Sequence, residues 1–138
     1  CEDLHVLRYN PGGEFRPHYD AMSSKPRCLT VLYYLNGKGA TYFPFADSDA
    51  TFAERMPTPS EALAAVAQLD PATDGLCFQP QAPGDALAFF NLDADGQLEP
   101  LALHAGLQAE ETKWVGSHFF YVPALCDGFE REEESNKN

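Results

Sequence analysis

Four histidines occur in this chain, His5, His18, His104 and His118, and two of them stand where they could do chemistry. His18-Tyr19-Asp20 is an H-x-D on an extended segment. Side chains alternate along a strand, so His18 and Asp20 project from one face and can reach one metal ion together. A third ligand must come from elsewhere in the fold, and His104, in the strand-like run LALHAGL, is the natural candidate. Two imidazoles and one carboxylate make the facial set that suits non-haem iron(II) and leaves coordination positions open for a chelating cosubstrate and O2. An H-x-D alone is also an ordinary solvated pair, so its surroundings carry weight. Lys113 lies nine residues after His104 and opens the run KWVGSHFFYV. A basic group one strand beyond the distal histidine could meet the far end of a dicarboxylate, although a lone lysine is by default a surface residue. His5 and His118 belong to no matching motif and are expected to be dispensable for metal. No Ser/His/Asp or Cys/His set competes for a nucleophilic mechanism.

Short extended elements must position these groups. Leu4–Tyr9 alternates and meets Asn10-Pro11-Gly12-Gly13, a strand followed by a turn. Phe15–Tyr19, Cys28–Leu35, Ala40–Phe45, Ala86–Asn91, Leu101–Leu107 and Trp114–Val122 read as further strands, rich in β-branched and aromatic residues. The stretch Ala46–Pro83 differs: Asp and Pro are frequent, and Ser60–Leu69 reads as a helix with Ser60 as N-cap, followed by a turn over Asp70–Gly75. This stretch is expected to be an insertion that forms a flap over the mouth of the core. The core itself is expected over residues 1–126, and the charged run at 127–138 is expected to be disordered. Many short strands at close spacing predict an all-β sandwich or barrel.

Composition bounds the partners. With 138 residues the chain is long enough for one domain and a sizeable core. Its net charge of −12, from 9 basic against 21 acidic residues, disfavours nucleic acid and anionic membranes. No apolar run is long enough to span a bilayer. The first residue is Cys1, and a strand pattern begins almost at once, which reads as a fragment or a processed chain. The compartment is therefore open, with the ER lumen and the cytoplasm both compatible. Cys1, Cys28, Cys77 and Cys126 are too scattered for a structural zinc site and read as buried thiols, with one or two disulfides as the alternative.

Six ordered blocks resemble the prolyl 4-hydroxylases, a branch of the Fe(II)/2-oxoglutarate-dependent dioxygenases. They are Tyr9-x-x-Gly12-x-x-Phe15-x-x-His18-x-Asp20; Arg27-x-x-Thr30-x-x-x-Tyr34-Leu35-Asn36; Gly39-Ala40-Thr41-x-Phe43-Pro44; Pro83-Gly84-Asp85-Ala86-Leu87 with Phe89 and Asn91; His104-Ala105-Gly106; and Lys113-Trp114. The resemblance spans nearly all of residues 4–122 outside the insertion. It departs at Lys38, where the family usually has a glycine, at Phe119, where it often has a tryptophan, and in the length of the insertion. The helices and strands that usually precede such a barrel are also not apparent.

The resemblance implies a double-stranded β-helix, a cupin-like jelly roll with the metal inside its mouth. It implies iron(II) on His18, Asp20 and His104, with 2-oxoglutarate and O2 as cosubstrates, and it admits ascorbate as an auxiliary. It further implies a salt bridge from Lys113 to the distal carboxylate of 2-oxoglutarate and hydrogen bonds to that cosubstrate from Tyr9 and Thr41. The implied reaction is hydroxylation of prolyl residues in a peptide or protein, with release of succinate and CO2. A free amino acid or another small molecule is the alternative substrate. A catalytically silent metal-binding or interaction module is the alternative of another class.

Overall fold

A computed structural model describes residues 1–21, 25–49, 51 and 58–121. Eight strands form two antiparallel four-stranded sheets. The strands are β1 (His5–Tyr9), β2 (Phe15–His18), β3 (Arg27–Tyr34), β4 (Thr41–Phe43), β5 (Leu76–Phe78), β6 (Ala86–Phe90), β7 (His104–Gly106) and β8 (Lys113–Tyr121). One sheet has the order β1-β8-β3-β6 and the other β2-β7-β4-β5. Chain neighbours alternate between the sheets through the first four strands and again through the last four, and the two sheets close on each other as a jelly roll. The expected all-β class and this architecture are what the structure has.

The pleat sorts side chains between the inside of the roll and its outer faces. In the first sheet, β8 pairs with β1 and β3 so that Lys113 lies opposite Tyr9, Val115 opposite Leu7 and Tyr34, and Ser117 opposite His5 and Leu32. These residues look inward. Their neighbours Trp114, Gly116 and His118 look outward with Arg8, Val6 and Val31. Inside, Leu32, Tyr34 and Val115 form one apolar cluster with Phe78, Leu87 and Phe89 packed on it. In the second sheet, His104 and Gly106 face inward, whereas Tyr42 faces out into a second cluster.

That second cluster is where the inserted region goes. Helix α1 (Pro59–Val66) buries Ala62 and Val66 against Tyr42, Phe45 and Leu103. It lies on the outer face of the second sheet, on the far side from the cavity, and no described residue of 46–83 lines that cavity. A flap over the mouth is thus not what the described residues form; residues 50 and 52–57 lie outside them. The insertion is also shorter than expected. Leu76–Phe78 is a core strand, β5, hydrogen-bonded to β4 in the register Thr41↔Phe78 and Phe43↔Leu76. The inserted residues are therefore the connection between β4 and β5. Gly75 marks the entry to β5: its φ is +71, and a Cβ there would lie 2.4 Å from the Phe43 carbonyl oxygen.

The helix starts earlier than Ser60. Thr58 is the N-cap, and Thr58 and Glu61 form a reciprocal capping box with Pro59 in the first turn. Leu101–Leu107 is a strand only from His104, because Pro100–Ala102 is a 3-10 turn capped by Glu99. Cys28 is half-buried, but Cys1 and Cys77 are exposed, and all three are free thiols. The expected buried placement fails for those two. Cys126 and the acidic tail at 127–138 lie outside the described residues.

Candidate active site

β2 and β7 are paired so that His18 and His104 are direct cross-strand partners. Their rings stand 4.4 Å apart, centroid to centroid. Asp20 follows the end of β2, so it sits in a bend and not on the strand as the H-x-D reading assumed. The three side chains nevertheless converge. One ligand atom from each of His18, Asp20 and His104 lies within 4.8 Å of the others. The His18 Nε2 is 3.2 Å from the Asp20 Oδ1, and the His104 Nε2 is 3.6 Å from the Asp20 Oδ2. Donors bonded at about 2.1 Å to one octahedral ion stand about 3 Å apart, which is the spacing these atoms approach.

The donor set is chemically prepared for a cation. The Nδ1 of His18 is 2.8 Å from the Arg16 carbonyl oxygen, and the Nδ1 of His104 is 2.9 Å from that of Ala102. A carbonyl only accepts, so each Nδ1 carries the proton and each Nε2 presents a lone pair. Phe89 meets the His104 ring edge-on and Phe43 stacks on it, so the imidazole is wedged as well as tethered. Burial holds the His104 pKa below the ordinary histidine value, which keeps the ring neutral. Burial acts to raise the Asp20 pKa, but the neighbouring His18 and His104 imidazoles and the hydrogen bond from Thr30 outweigh it and leave the carboxyl below its usual value. Neutral imidazoles and an ionised carboxylate are the protonation states a metal requires.

The ligands open onto a cavity of about 470 Å³ between the sheets. Its walls include Tyr9, Phe15, Thr41, Lys113 and Phe119. Lys113 is only 4% exposed. Its Nζ touches the Ala40 carbonyl at 3.5 Å and stands 5.4 Å and 5.8 Å from the Tyr9 and Tyr34 rings. No carboxylate pairs with it among the described residues. Burial alone pushes its pKa down from the ordinary lysine value. Two glycines of the motif blocks flank this side chain, and Gly39 makes room for it. A Cβ at Gly39, whose φ is +84, would lie 2.3 Å from the Lys113 Cδ, and one at Gly106 would lie 3.6 Å from Nζ. A buried cation that no described carboxylate meets, in a cavity that also holds the His–Asp–His cluster, is suited to receiving an anion.

The remaining expected residues are placed as follows. Tyr9 and Thr41 both line the cavity. The Thr41 hydroxyl is already engaged by the Tyr34 hydroxyl at 2.6 Å, and burial pushes the Tyr34 pKa up to about 12, so Tyr34 stays protonated. His118 is on the outer face beside Phe120, away from the site. His5 reaches the cavity wall, but its Nε2 is 3.3 Å from Glu2. Arg27, Thr30, Tyr34 and Asn91 belong to the motif blocks, and the structure shows what each touches. Thr30 donates to the Asp20 Oδ2 at 2.7 Å. Arg27 stacks 3.6 Å over the Phe119 ring and makes a two-pronged pair with Glu2 at 2.7 and 2.8 Å. Glu2, which also accepts from the Tyr121 hydroxyl, had no signal in the sequence.

Comparison with known proteins agrees with this geometry. Residues 4–121 match the sequence profile of the 2OG-Fe(II) oxygenase superfamily. The chain is 33% identical over 141 residues to the probable prolyl 4-hydroxylase 4 of Arabidopsis thaliana, covering 94% of this chain and 43% of that protein. It is 33% identical over 137 residues to prolyl 4-hydroxylase 2 of the same plant, covering 90% of this chain and 42% of that protein. The chain thus spans less than half the length of these curated relatives. Among solved structures, the viral collagen prolyl hydroxylase of Paramecium Bursaria Chlorella virus-1, in its 2OG complex, aligns with a TM-score of 0.55 at 24% identity, covering 86% of this chain and 56% of that one. At that identity the likeness speaks for the fold.

Proposed function

The chain belongs to the 2OG-Fe(II) oxygenase superfamily, and from that premise we propose that it hydroxylates prolyl residues in a peptide or protein, converting 2-oxoglutarate to succinate and CO2. In this reading His18 and His104 offer Nε2 and Asp20 offers a carboxylate oxygen to iron(II), while Lys113 receives the distal carboxylate of 2-oxoglutarate. Bound iron(II), with 2-oxoglutarate and O2, supplies the oxidising chemistry that places one oxygen atom in a C–H bond. The protein supplies position, charge and a dry cavity.

The observation that carries the reading is Lys113. Lys113 lies 4% exposed with no carboxylate beside it among the described residues, and an anion that enters the cavity would supply the missing counter-charge. Tyr9 and Thr41 line the cavity the same anion would enter, and their hydroxyls are proposed as its hydrogen-bond partners. Thr41 remains able to act while bound to Tyr34, because a hydroxyl accepts through two lone pairs as well as donating. The apolar remainder, from Leu32, Val115 and Phe119 among others, lowers the polarity around the reacting centre. The prolyl substrate is drawn from the curated relatives, whose names carry it.

Succinate release, measured with and without proline-rich peptides and with peptide mass followed in parallel, tests the proposal. The expected result is peptide-dependent succinate with a gain of one oxygen atom on proline. Succinate that responds to a free amino acid instead would replace the substrate class. No succinate under any condition, from a chain that binds metal, would overturn the catalytic reading.

A further inference from the structure

Two of the three metal-ligand candidates are held by a strand ladder, and the third is not. His18 and His104 end and begin the paired strands β2 and β7, and each ring is tethered to a carbonyl of its own segment. Asp20 lies past the end of β2 with neither support. Its side chain is held from the opposite sheet instead. Thr30, on β3 and with no exposed surface, donates its one hydroxyl proton to the Asp20 Oδ2 at 2.7 Å. The Thr30 oxygen can then only accept, and it accepts from the Asn91 Nδ2 at 2.7 Å. The reverse amide orientation would set a carbonyl oxygen against an oxygen whose proton is already committed. Asn91 is 1% exposed, and its backbone is pinned twice, to the Cys28 carbonyl at 2.9 Å and by the Glu99 amide at 2.8 Å. The hydrogen bonds thus run in one direction, from Asn91 to Thr30 to Asp20.

We propose that Thr30 and Asn91 are a positioning relay that holds the Asp20 carboxylate in one orientation, with Oδ2 occupied and Oδ1 left for the cation, and so sets the affinity of the site for a divalent metal. The relay does for Asp20 what the strand pairing does for the two histidines. Partners of this kind orient ligands and, when removed, weaken metal binding by roughly 10–100-fold. The inference rests on the metal-site reading above, and its test separates the two.

The whole chain is titrated calorimetrically with Mn(II), without 2-oxoglutarate, for the unsubstituted protein and for Thr30→Val, Thr30→Ser and Asn91→Leu. Thr30→Val keeps the side chain's shape and removes the donor, so its affinity should fall by about ten-fold or more at an unchanged one-to-one stoichiometry. Thr30→Ser restores the hydroxyl and should restore the affinity. Asn91→Leu leaves Thr30 in place and should show a smaller loss in the same direction. A merely structural defect lowers the stoichiometry, because unfolded molecules drop out, and is not rescued by serine. Folded Thr30→Val with the original affinity would overturn the relay. If Thr30→Val does not fold, Asn91→Leu decides alone, and its unchanged affinity overturns the proposal equally. An unsubstituted chain that binds no Mn(II) brings down the metal reading itself, and the relay with it.

Discussion

Lys113 holds a charge that no described carboxylate meets, in a largely apolar cavity, and that placement sets two opposite expectations. Removing one partner of a buried, hydrogen-bonded charge pair costs about 2–5 kcal/mol of binding. Lys113→Ala should therefore raise the 2-oxoglutarate concentration needed for half-saturation by roughly ten-fold or more, measured on the Mn(II)-loaded protein. Lys113→Arg should lose less, since the charge survives and only its shape changes. Unchanged 2-oxoglutarate affinity in Lys113→Ala would mean that another group anchors the cosubstrate. In the ligand-free chain the same burial is a liability, as the depressed lysine pKa indicates. Lys113→Met should raise the melting temperature of the ligand-free chain while removing cosubstrate binding, and a lowered melting temperature would count against the buried-charge account. Glu2 shows the opposite balance. Its hydrogen bond and ion pair with Arg27, together with the Tyr121 hydroxyl, hold its carboxyl down at about 2, against 4.5 in the unfolded chain. A depressed carboxyl pKa contributes stability that is complete above the unfolded value and is lost as pH falls toward the folded one. Chemical denaturation between about pH 5 and pH 2 should therefore show a steeper decline for the unsubstituted chain than for Glu2→Gln. Parallel declines would show that the pair adds nothing.

At the scale of elements, β2 and β7 carry two candidate ligands because their register sets His18 opposite His104, whereas the third, Asp20, is met by the Thr30 hydroxyl from β3. Helix α1 sits on the other side of that sheet and has no part in the chemistry. Its capping box should matter only to stability. Thr58→Ala removes the side-chain oxygen that receives the Glu61 amide and should destabilise the chain by about 1 kcal/mol. Mn(II) affinity in Thr58→Ala should stay as it was, since Ala62 and Val66 pack on Tyr42 and Leu103 and not on the ligands. A loss of metal affinity would show that the outer face is coupled to the site after all. The elements were unevenly legible. Six of the eight strands follow from alternation and β-branched or aromatic runs. β7 was read too early, at Leu101, because the apolar pattern does not reveal that Pro100 begins a 3-10 turn. β5 was not read at all. Three residues between a glycine turn and Gln79-Pro80 carry no periodicity, and only pairing with β4 makes them a strand.

At the scale of the molecule, the two sheets enclose a cluster of groups that a cation would draw together. Two candidate ligands sit on one sheet, and the third is tied to the other sheet through Thr30. Binding to the folded state alone stabilises it by mass action, by about 2.7 kcal/mol at a free metal concentration one hundred times Kd. The melting temperature should therefore climb with added Mn(II) and return on chelation. The climb should be absent in His104→Ala, which removes a ligand. A metal-dependent shift that survives in His104→Ala would place the ion elsewhere.

The candidate ligand types, their order along the chain and the all-β class are legible in the sequence, because they depend on local facts: residue identity, a spacing of two, and alternation. The motif blocks extended this to the architecture and to Lys113. Tertiary structure alone decided the rest, because it depends on which strands lie side by side. Only the β2–β7 register brings His18 and His104 together, although 86 residues separate them in the chain. Only the meeting of two sheets places Thr30 and Asn91 behind Asp20, and puts Lys113 out of reach of every described carboxylate. Burial and pairing are properties of the closed roll, and no window of sequence contains them.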